Sequence, residues 1–593
     1  MIQRKKFLLL CVLLSTLLQS AKRTSDPHFK EASTVNKQYI KQLDQFERQI
    51  QEFQEEGTKK KFLQLRNSFK TCEYLLCYVN NQLAKSINGP NIIVNEYDSL
   101  NPNEQIDPHG LQVIEYHLYQ PSENSKNEIA KEIQLLKSSI TQIKNRHLRE
   151  QRSDFKLFNT LVWDAWRVEI MRIEALGITG FDTPACGNAL PETISALQSL
   201  KKFIQLYKNS IQKKENKEFN QLINAGIEFI EQNLNFNAFD RLTFIHEYLH
   251  PLSEKINHTR AQLGFEFPSN IRPVNNEADH LFSSNILNDT YFSNSSSPER
   301  IALGKMLFND TQLSLNNTRS CTTCHDPGKA FTDGKVKNSN FEETKELLRN
   351  TPTLINAGWQ TKFFYDSRVK NLEKQAISVI HNPDEMGGDL QQVIEKIKHN
   401  ENYILLFHLA YKDNINESTL VNAISVYIQS LRAFNSKIDR YFRGESELLS
   451  ADEKAGFNLF TGKAKCATCH YLPLFNGLVA PYFMETESEK IGVPSKKSAP
   501  KEIDPDLGRY NYTHLELHRF AFKTPSLRMI AQTAPYMHNG VFGTLEEVVD
   551  FYNKGGGAGQ GMDFPDQTLG ADSLGLSKHE QQSLVAFLKS LSE

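Results

Sequence analysis

The stretches Cys321-Thr322-Thr323-Cys324-His325 and Cys466-Ala467-Thr468-Cys469-His470 share one pattern, two cysteines two residues apart with a histidine directly after the second. This pattern is typical of covalent haem c attachment, in which two thiols add to the vinyl groups of one porphyrin and the histidine ligates the iron. With eight Cys and 17 His in 593 residues, two chance matches have a probability on the order of one in a hundred thousand. A zinc site is the alternative, but a histidine in that position is poorly placed for tetrahedral coordination. The sequence therefore predicts two haems and electron transfer between them.

Length and charge limit the function classes that need to be considered. A chain of 593 residues has room for about three or four domains. The formal net charge of -2 and the isoelectric point near 6.8 argue against a nucleic-acid partner and against binding to an anionic membrane surface. Apart from the N-terminus, no segment reaches eighteen consecutive apolar residues, so we expect no membrane span.

The N-terminal sequence resembles an export signal. Basic residues at positions 4–6 precede an apolar run over 7–18, which is long enough for a signal peptide and short for a membrane span. We therefore expect a signal peptide over 1–20 and a periplasmic location. This location fits the two haem motifs, because bacteria complete haem c attachment outside the cytoplasmic membrane. Cys11 leaves a lipoprotein anchor as the less favoured alternative, because no small residue precedes it.

The region 28–265 has the composition and periodicity of a helical bundle, and 266–298 has the Asn- and Ser-rich character of a linker. Trp163 and Trp166 recur at helical spacing and are expected in the core. The apolar positions that carry the periodicity are Phe62, Leu65, Phe69 and Cys72 in one run, and Leu197, Leu200, Ile204 and Tyr207 in another. This region contains three further cysteines, Cys72, Cys77 and Cys186. Either two of them form a disulfide and one is a free thiol, or all three are buried thiols.

Within this bundle, the segment from Gly110 to Tyr116 resembles the Gly-x-His-x-x-Glu motif of imelysin-like helical proteins of the bacterial envelope. Gln112 occupies the position of the motif's histidine, which removes its best metal ligand, so no metal site is carried over. His109, Glu115 and His117 point to different sides of a helix and are expected to be surface residues.

The C-terminal half contains a series of short strings in a fixed order: Leu303 to Phe308, Cys321 to Pro327, Arg349 to Leu354, Asp366 with Arg368, Gln375, Glu385-Met386, Phe522 to Arg528 and Ala534 to Gly540. In order and spacing these strings resemble the bacterial diheme cytochrome c peroxidase family, which includes the MauG-type enzymes, and the resemblance covers about 298–593. It implies a mainly α protein in which the bundle is followed by two cytochrome c-like all-α haem domains, a peroxidatic one over 299–445 and an electron-transfer one over 446–593.

For the first haem, the resemblance implies iron ligation by His325 and acid/base chemistry by Glu385 with help from Gln375. A carboxylate near the iron can move a proton between peroxide oxygens, and an amide can hold peroxide by hydrogen bonds. Many family members have a second histidine that blocks this iron until reduction. Because no histidine lies between His325 and His381, we expect an open haem that needs no reductive activation, with His381 as the alternative ligand.

For the second haem, the resemblance implies His470 and Tyr552 as iron ligands. A tyrosine stabilises oxidised iron, whereas the methionine of many peroxidases raises the potential. Met537 and Met562 are the alternative ligands. Tyr365 occupies the position of the tryptophan that relays electrons between the haems.

A Ca²⁺ ion also belongs to the family pattern. Its ligands here would be the side chain of Asn350 and the backbone carbonyls of Thr533 and Pro535, with water completing the shell.

Three functions follow as hypotheses. The first is an exported diheme peroxidase that reduces hydrogen peroxide to water with electrons from a small cytochrome or cupredoxin. The second is a MauG-type oxidase acting on a protein or small molecule. The third is a diheme carrier or binding protein without catalysis, which Glu385 and Gln375 argue against. The sequence leaves open the electron donor, the role of the bundle and whether the chain forms a homodimer.

Overall fold

The computed structural model describes residues 28–92, 94–95, 105–149, 155–267, 272–292, 296–412, 414–445 and 448–593, so the expected signal peptide lies outside the described residues. The chain divides into two compact units: the N-terminal unit, 1–94 with 105–270, and the C-terminal unit, 271–593 with 95–104. Helices are the main regular structure of both units and the chain as a whole is mainly helical, which confirms the predicted fold class at that level. None of the helices in the described ranges has the length and apolar character needed to cross a membrane.

Long amphipathic helices build the N-terminal unit. Gly57, in the left-handed conformation, ends the first of them by donating its N–H to the carbonyl of Phe53, and the Thr58 side chain caps the second. Two π-helical segments, Ile173–Gly177 and Ile245–Leu249, continue longer helices. The helices are α1 (Phe29–Glu56), α2 (Lys59–Lys70), α3 (Glu73–Val79), α4 (Asn81–Asn88), α5 (Leu111–Tyr119), α6 (Ser125–Arg149), α7 (Phe155–Arg172), α8 (Ala189–Leu206), α9 (Lys213–Gln232), α10 (Arg241–Phe244) and α11 (His250–Gln262), and two short strands are β1 (Val94–Asn95) and β2 (Gln105–Ile106).

The core of this unit is aromatic. Trp163 and Trp166 are fully buried, as predicted, and Trp166 stacks on Tyr74 with ring centroids 4.0 Å apart. The periodic apolar positions of α2 and α8 are buried as well, which confirms that these two runs face the core. Cys72, Cys77 and Cys186 are free thiols, and the first two are buried.

A buried charge cluster lies beside this aromatic core. Five carboxylates face three cations, and none of the eight residues is more than 4% exposed. Such charges are tolerated in a protein interior only when they are paired and hydrogen-bonded. The members are Arg66, Lys70, Glu73, Glu115, Glu169, Arg172, Asp182 and Glu192.

Glu115 belongs to this cluster, and the prediction that it is a surface residue is wrong. Its carboxylate accepts hydrogen bonds from the backbone N–H groups of Ala185 and Cys186 and lies 3.5 Å from Arg66. Gln112, the departure from the imelysin-like motif, donates its side-chain N–H to the carbonyl of Asn88. These two motif side chains therefore hold neighbouring backbone segments in place.

The C-terminal unit consists of shorter helices joined by long irregular segments. Its helices are α12 (Asp289–Phe292), α13 (Pro298–Phe308), α14 (Leu372–His381), α15 (Leu390–Ile397), α16 (Glu401–Tyr411), α17 (Glu417–Ser430), α18 (Lys437–Phe442), α19 (Ala451–Thr461), α20 (Tyr510–Thr513), α21 (Leu545–Asn553), α22 (Gly556–Gly559) and α23 (Lys578–Ser590). Two short strands, β3 (Ser488–Glu489) and β4 (Phe522–Lys523), pair antiparallel with Ser488 opposite Lys523.

Two helix pairs in this unit pack in the same way. The helix before each Cys-x-x-Cys-His motif contacts a later helix through a glycine: a Cβ on Gly304 of α13 would lie 2.0 Å from the carbonyl oxygen of Ala423 in α17, and one on Gly456 of α19 would lie 2.1 Å from that of Ser583 in α23. Only glycine permits so close an approach of two backbones. Each motif thus follows a tightly packed helix pair.

The predicted linker contributes to the core of the C-terminal unit. Phe282 is fully buried, and its ring lies 4.4 Å from that of Phe442. Phe442 in turn contacts Phe457 of α19. The part of 266–298 that contains Phe282 is therefore packed against the helices that precede the second motif.

Candidate active site

A cavity of about 760 Å³ lies within the C-terminal unit. Both Cys-x-x-Cys-His motifs contribute all their cysteines and histidines to its wall. Every other site residue expected from the sequence lines it too: Asn350, Tyr365, Gln375, Glu385, Thr533, Pro535 and Tyr552. Segments 227 residues apart in sequence, those of His325 and Tyr552, therefore meet around one space.

The two motifs have the same local structure. Each begins as a turn of 3-10 helix, Cys321–Thr323 and Cys466–Thr468, and in each the histidine N–H donates to the carbonyl of the first cysteine over 2.9 Å. This turn directs two thiols and one imidazole towards the cavity. All four thiols are free, as covalent attachment to a porphyrin requires.

Hydrogen bonds fix the orientation of both imidazole rings. Nδ1 of His325 donates to the carbonyl of Phe331 over 2.9 Å, and Nδ1 of His470 lies 3.3 Å from the carbonyl of Phe475 and 3.2 Å from that of Pro525. Because a carbonyl only accepts, the proton sits on Nδ1 and the lone pair on Nε2 is left for a metal. Burial lowers the pKa of both rings, that of His470 to about 4, so both are neutral near pH 7. The donor set therefore fits two haem c groups.

Glu385 and Gln375 lie in the wall on different elements. Gln375 is on α14, and Glu385 lies in the turn after that helix, where its N–H donates to the carbonyl of Asn382 over 3.0 Å. Burial raises the pKa of the Glu385 carboxyl, and the Arg368 guanidinium opposes that rise. A carboxyl with a raised pKa can hold and deliver a proton, and the Gln375 amide lines the same cavity.

His381 is exposed and does not line the cavity. Among the described residues, His538 is the one histidine besides His325 and His470 that lines the cavity. Its ring stacks on Phe522 at 3.8 Å, and its Nε2 lies 3.3 Å from an Asp504 oxygen. This arrangement is consistent with an open first haem.

The remaining candidates differ in their relation to the cavity. Tyr365 and Tyr552 both line it, and burial raises the pKa of each phenol, so both are protonated at neutral pH when no metal is bound. Met537 lines the cavity and Met562 does not. Trp359, six residues before Tyr365, donates its indole N–H to an Asp289 oxygen 3.1 Å away and does not line the cavity.

The Asn350 amide nitrogen donates to the carbonyls of Lys335 and Val336, at 2.8 and 3.3 Å. Its amide oxygen is thus the atom left for a hard cation such as Ca²⁺. Thr533 and Pro535 line the cavity as well, and their carbonyls are the other two candidate ligands.

Sequence reasoning gave no role to several charged residues of the wall. Arg349 forms a two-pronged ion pair with Asp506, at 2.5 and 3.0 Å, and a third bond of 2.7 Å with Asp366. Lys523 also lines the wall. Arg349, Asp366 and Lys523 stand inside the strings that carry the family resemblance, which is the signal that could have marked them.

Comparison with known proteins agrees with this site. Residues 298–447 match the family model described as di-haem cytochrome c peroxidase. The chain is 34% identical to cytochrome-c peroxidase IdrP2 of Denitromonas iodatirespirans over 309 residues, covering 50% of this chain and 82% of that protein. It is 35% identical to methylamine utilization protein MauG of Methylorubrum extorquens over 303 residues, covering 50% of this chain and 80% of that protein.

Among solved structures, a MauG-like protein associated with microbial copper homeostasis is 30% identical, with 51% of this chain and 91% of that chain covered and a TM-score of 0.45. The matches to the curated relatives cover most of their length, and the cavity wall carries the two haem attachment motifs of this class. The chain therefore belongs to the di-haem cytochrome c peroxidase family that includes MauG, and it is an oxidoreductase with covalently bound haem c.

Proposed function

We propose that this protein is a periplasmic diheme peroxidase that reduces hydrogen peroxide to water with electrons from a small cytochrome or cupredoxin. The observation that carries the proposal is the shared cavity wall, where Glu385 and Gln375 lie with both haem attachment motifs. A pure electron carrier has no need of a buried carboxyl and an amide at this place. Export rests on the N-terminal sequence alone.

In this proposal the protein holds each haem by two thioether bonds and one imidazole. Cys321, Cys324 and His325 hold the first haem, and Cys466, Cys469 and His470 hold the second, with Tyr552 as the second ligand. When bound, the haems supply the iron that binds peroxide and the electrons that cleave its O–O bond. The similar glycine-packed helix pairs before the two motifs support the division into two haem domains, 299–445 and 446–593.

Glu385 supplies the proton chemistry. Reduction of one H₂O₂ to two waters consumes two electrons and two protons, so a group near the bound peroxide must move protons between its oxygens. Burial raises the pKa of Glu385, so its carboxyl holds a proton more readily than an exposed glutamate and can pass that proton to a peroxide oxygen. Gln375 orients peroxide by hydrogen bonds, since its amide can donate and accept at once.

Tyr365 is the proposed relay between the haems. It lines the wall together with both motifs, and its carbonyl accepts a hydrogen bond of 2.6 Å from the N–H of Lys523. Oxidation of a tyrosine requires loss of its phenolic proton, so the rate of relay depends on a nearby acceptor for that proton.

A MauG-type oxidase that modifies a protein or small molecule is the second candidate. Tyr552 in the wall of the second haem site favours it, because an anionic oxygen ligand stabilises oxidised iron. Measured turnover with a reduced small cytochrome separates the two candidates.

The test is steady-state oxidation of a reduced small cytochrome by peroxide. Glu385→Gln removes the acid and keeps the shape, and we expect kcat to fall by about 10²–10⁴-fold. Glu395→Gln is the matched control, since Glu395 forms a surface ion pair with Lys398 and does not line the cavity. No turnover by the unmodified protein would overturn the peroxidase proposal, and full turnover by the Glu385 variant would overturn the role of that residue.

Two further measurements test the other assignments. A spectrum of the resting ferric protein with one high-spin and one low-spin haem supports an open first site, and two low-spin haems contradict it. Calcium removal by a chelator is expected to lower turnover, and Ca²⁺ but not Mg²⁺ should restore it, because carbonyl ligands and water suit the larger ion. Undiminished turnover without bound calcium would refute the Asn350 site.

A further inference from the structure

The cationic side chains of the cavity wall differ in what they contact. Arg319 donates to backbone carbonyls, among them that of Ser339 at 3.2 Å. Arg349 is ion-paired with Asp506 and Asp366, and Arg368 with Asp366 at 2.8 Å. The charges of Arg349 and Arg368 are thus offset by protein carboxylates, and the donors of Arg319 are used within the protein.

Lys523 differs from these arginines. Its ammonium group donates to the side-chain oxygen of Gln360, a neutral acceptor, and within the described residues no carboxylate forms an ion pair with it. Most of the side chain is enclosed, and burial lowers its pKa to about 8, so it is still largely charged at pH 7. A buried cation without a neighbouring anion is unfavourable, which indicates that an anion from outside the chain completes this place.

The next residue provides an independent indication. The hydroxyl oxygen of Thr524 is buried and has no hydrogen-bond partner among the described residues, although Thr524 also lines the cavity. Buried hydroxyl groups are normally satisfied. Two adjacent residues of the wall therefore have hydrogen-bonding capacity that the protein itself leaves unused.

We propose that Lys523, held in position by Gln360, binds a propionate carboxylate of one of the two haems. Each porphyrin of haem c carries two such carboxylates, and they are the anions that come with the cofactors this cavity accepts. The inference rests on haem occupancy of the cavity, as the proposed function does, but it does not require that the protein reduce peroxide.

The position of Lys523 gives this contact a consequence for electron transfer. Its backbone N–H donates to the carbonyl of Tyr365, and Pro525, two residues further on, accepts from the ring of His470. A positive charge at this place favours the reduced state of a nearby haem, because reduction lowers the positive charge at the iron. Lys523 therefore acts as a positioning residue that also raises a reduction potential.

The test is a redox titration of the intact diheme protein, followed by the absorbance of each haem. In Lys523→Met we expect the reduction equilibrium of one haem to shift about tenfold towards the oxidised state, which is about 59 mV for one electron. Lys523→Arg keeps the charge and should stay within about threefold of the unmodified protein. Lys497→Met is the control for charge, since Lys497 is a surface residue paired with Glu547 and does not line the cavity.

A second readout separates charge from packing. The reduction potential of that haem changes with pH where its propionate takes up a proton. Loss of the lysine should raise this pH, because the cation favours the ionised propionate, whereas a packing defect leaves it unchanged. Unchanged potentials and pH profiles in Lys523→Met, with two haems per chain, would overturn the inference. If the Met variant loses haem, the comparison of Lys523→Gln with Lys523→Arg decides in the same way. If the unmodified protein shows no peroxidase turnover, the proposed function is refuted, but the haem potentials can still be measured and still test the role of Lys523.

Discussion

Glu73 begins α3 and lies inside the charge cluster of the N-terminal unit. It contacts Arg172 and accepts from Lys70 over 2.9 Å, but the cluster holds five carboxylates for three cations, and Glu169 and Asp182 lie close by. Burial outweighs the two cations and raises the pKa of the Glu73 carboxyl to about 7. We predict that protonation of this single group makes the stability of the unit depend on pH.

The direction follows from proton linkage. The carboxyl binds its proton more tightly in the folded chain than in the unfolded chain, where the pKa is near 4.5. Its contribution to stability is therefore complete below pH 4.5 and is lost as the pH rises to about 7. The difference between the two pKa values corresponds to roughly 3 kcal/mol. Asp182 has a lowered pKa, so its opposite effect falls below pH 3.8 and does not overlap with this window.

Glu73→Gln removes the titration and keeps the shape of the side chain. The variant should match or exceed the unmodified protein in stability at pH 8, and lose that advantage at pH 5. Urea unfolding followed by tryptophan fluorescence measures this, because two of the three tryptophans, Trp163 and Trp166, lie in this unit, and Trp166 stacks on Tyr74. Glu52→Gln is the control, since Glu52 forms a surface ion pair with Lys61 outside the charge cluster, and such pairs contribute little to stability. A difference in stability between Glu73→Gln and the unmodified protein that stays constant from pH 5 to pH 8 would refute the reasoning.

Three more predictions concern the C-terminal unit. Gly456→Ala should cost about 1–3 kcal/mol in thermal unfolding, because its Cβ would meet the α23 backbone, whereas Gly570→Ala, with open space around it, should be neutral. Arg528→Met should cost about 3–5 kcal/mol in urea unfolding, because it leaves the buried Asp439 carboxylate unpaired; recovery in the double variant with Asp439→Leu would confirm that cause. Tyr552→Met should raise the potential of the haem on His470 in a redox titration, and an unchanged potential would argue against Tyr552 as its ligand.

The haem-binding motifs could be predicted from the sequence because their geometry is local. A five-residue segment such as Cys321 to His325 folds into one turn, and that turn alone sets the positions of its thiols and imidazole. Periodic apolar positions located the helices of the N-terminal unit for a similar reason. Lys523 was not predicted, because its significance depends on Gln360, which is 163 residues away in sequence.

The prediction that Glu115 is a surface residue failed because it was based on local sequence alone. A glutamate on a helix is normally exposed, and only tertiary partners reverse that preference. Those partners are Arg66 on α2 and the turn at Ala185. The sequence contained one sign of them, because Arg66 and Lys70 directly follow the apolar positions Leu65 and Phe69 and so lie at the edge of the buried face of α2.

The segment from Phe522 to Arg528 connects the parts of the site. Lys523 bonds to the carbonyl of Tyr365, Pro525 to the ring of His470, and Arg528 to the buried Asp439 over two contacts of 2.7 Å. One short stretch thus joins the proposed relay residue, the proposed ligand of the second haem and the core beneath it. Because a rigid backbone transmits small displacements, a change at Arg528 should alter the hydrogen bond to His470 and with it the basicity of the iron ligand. The compactness of this motif in the sequence therefore has a physical reason: neighbouring residues position different parts of the proposed electron path.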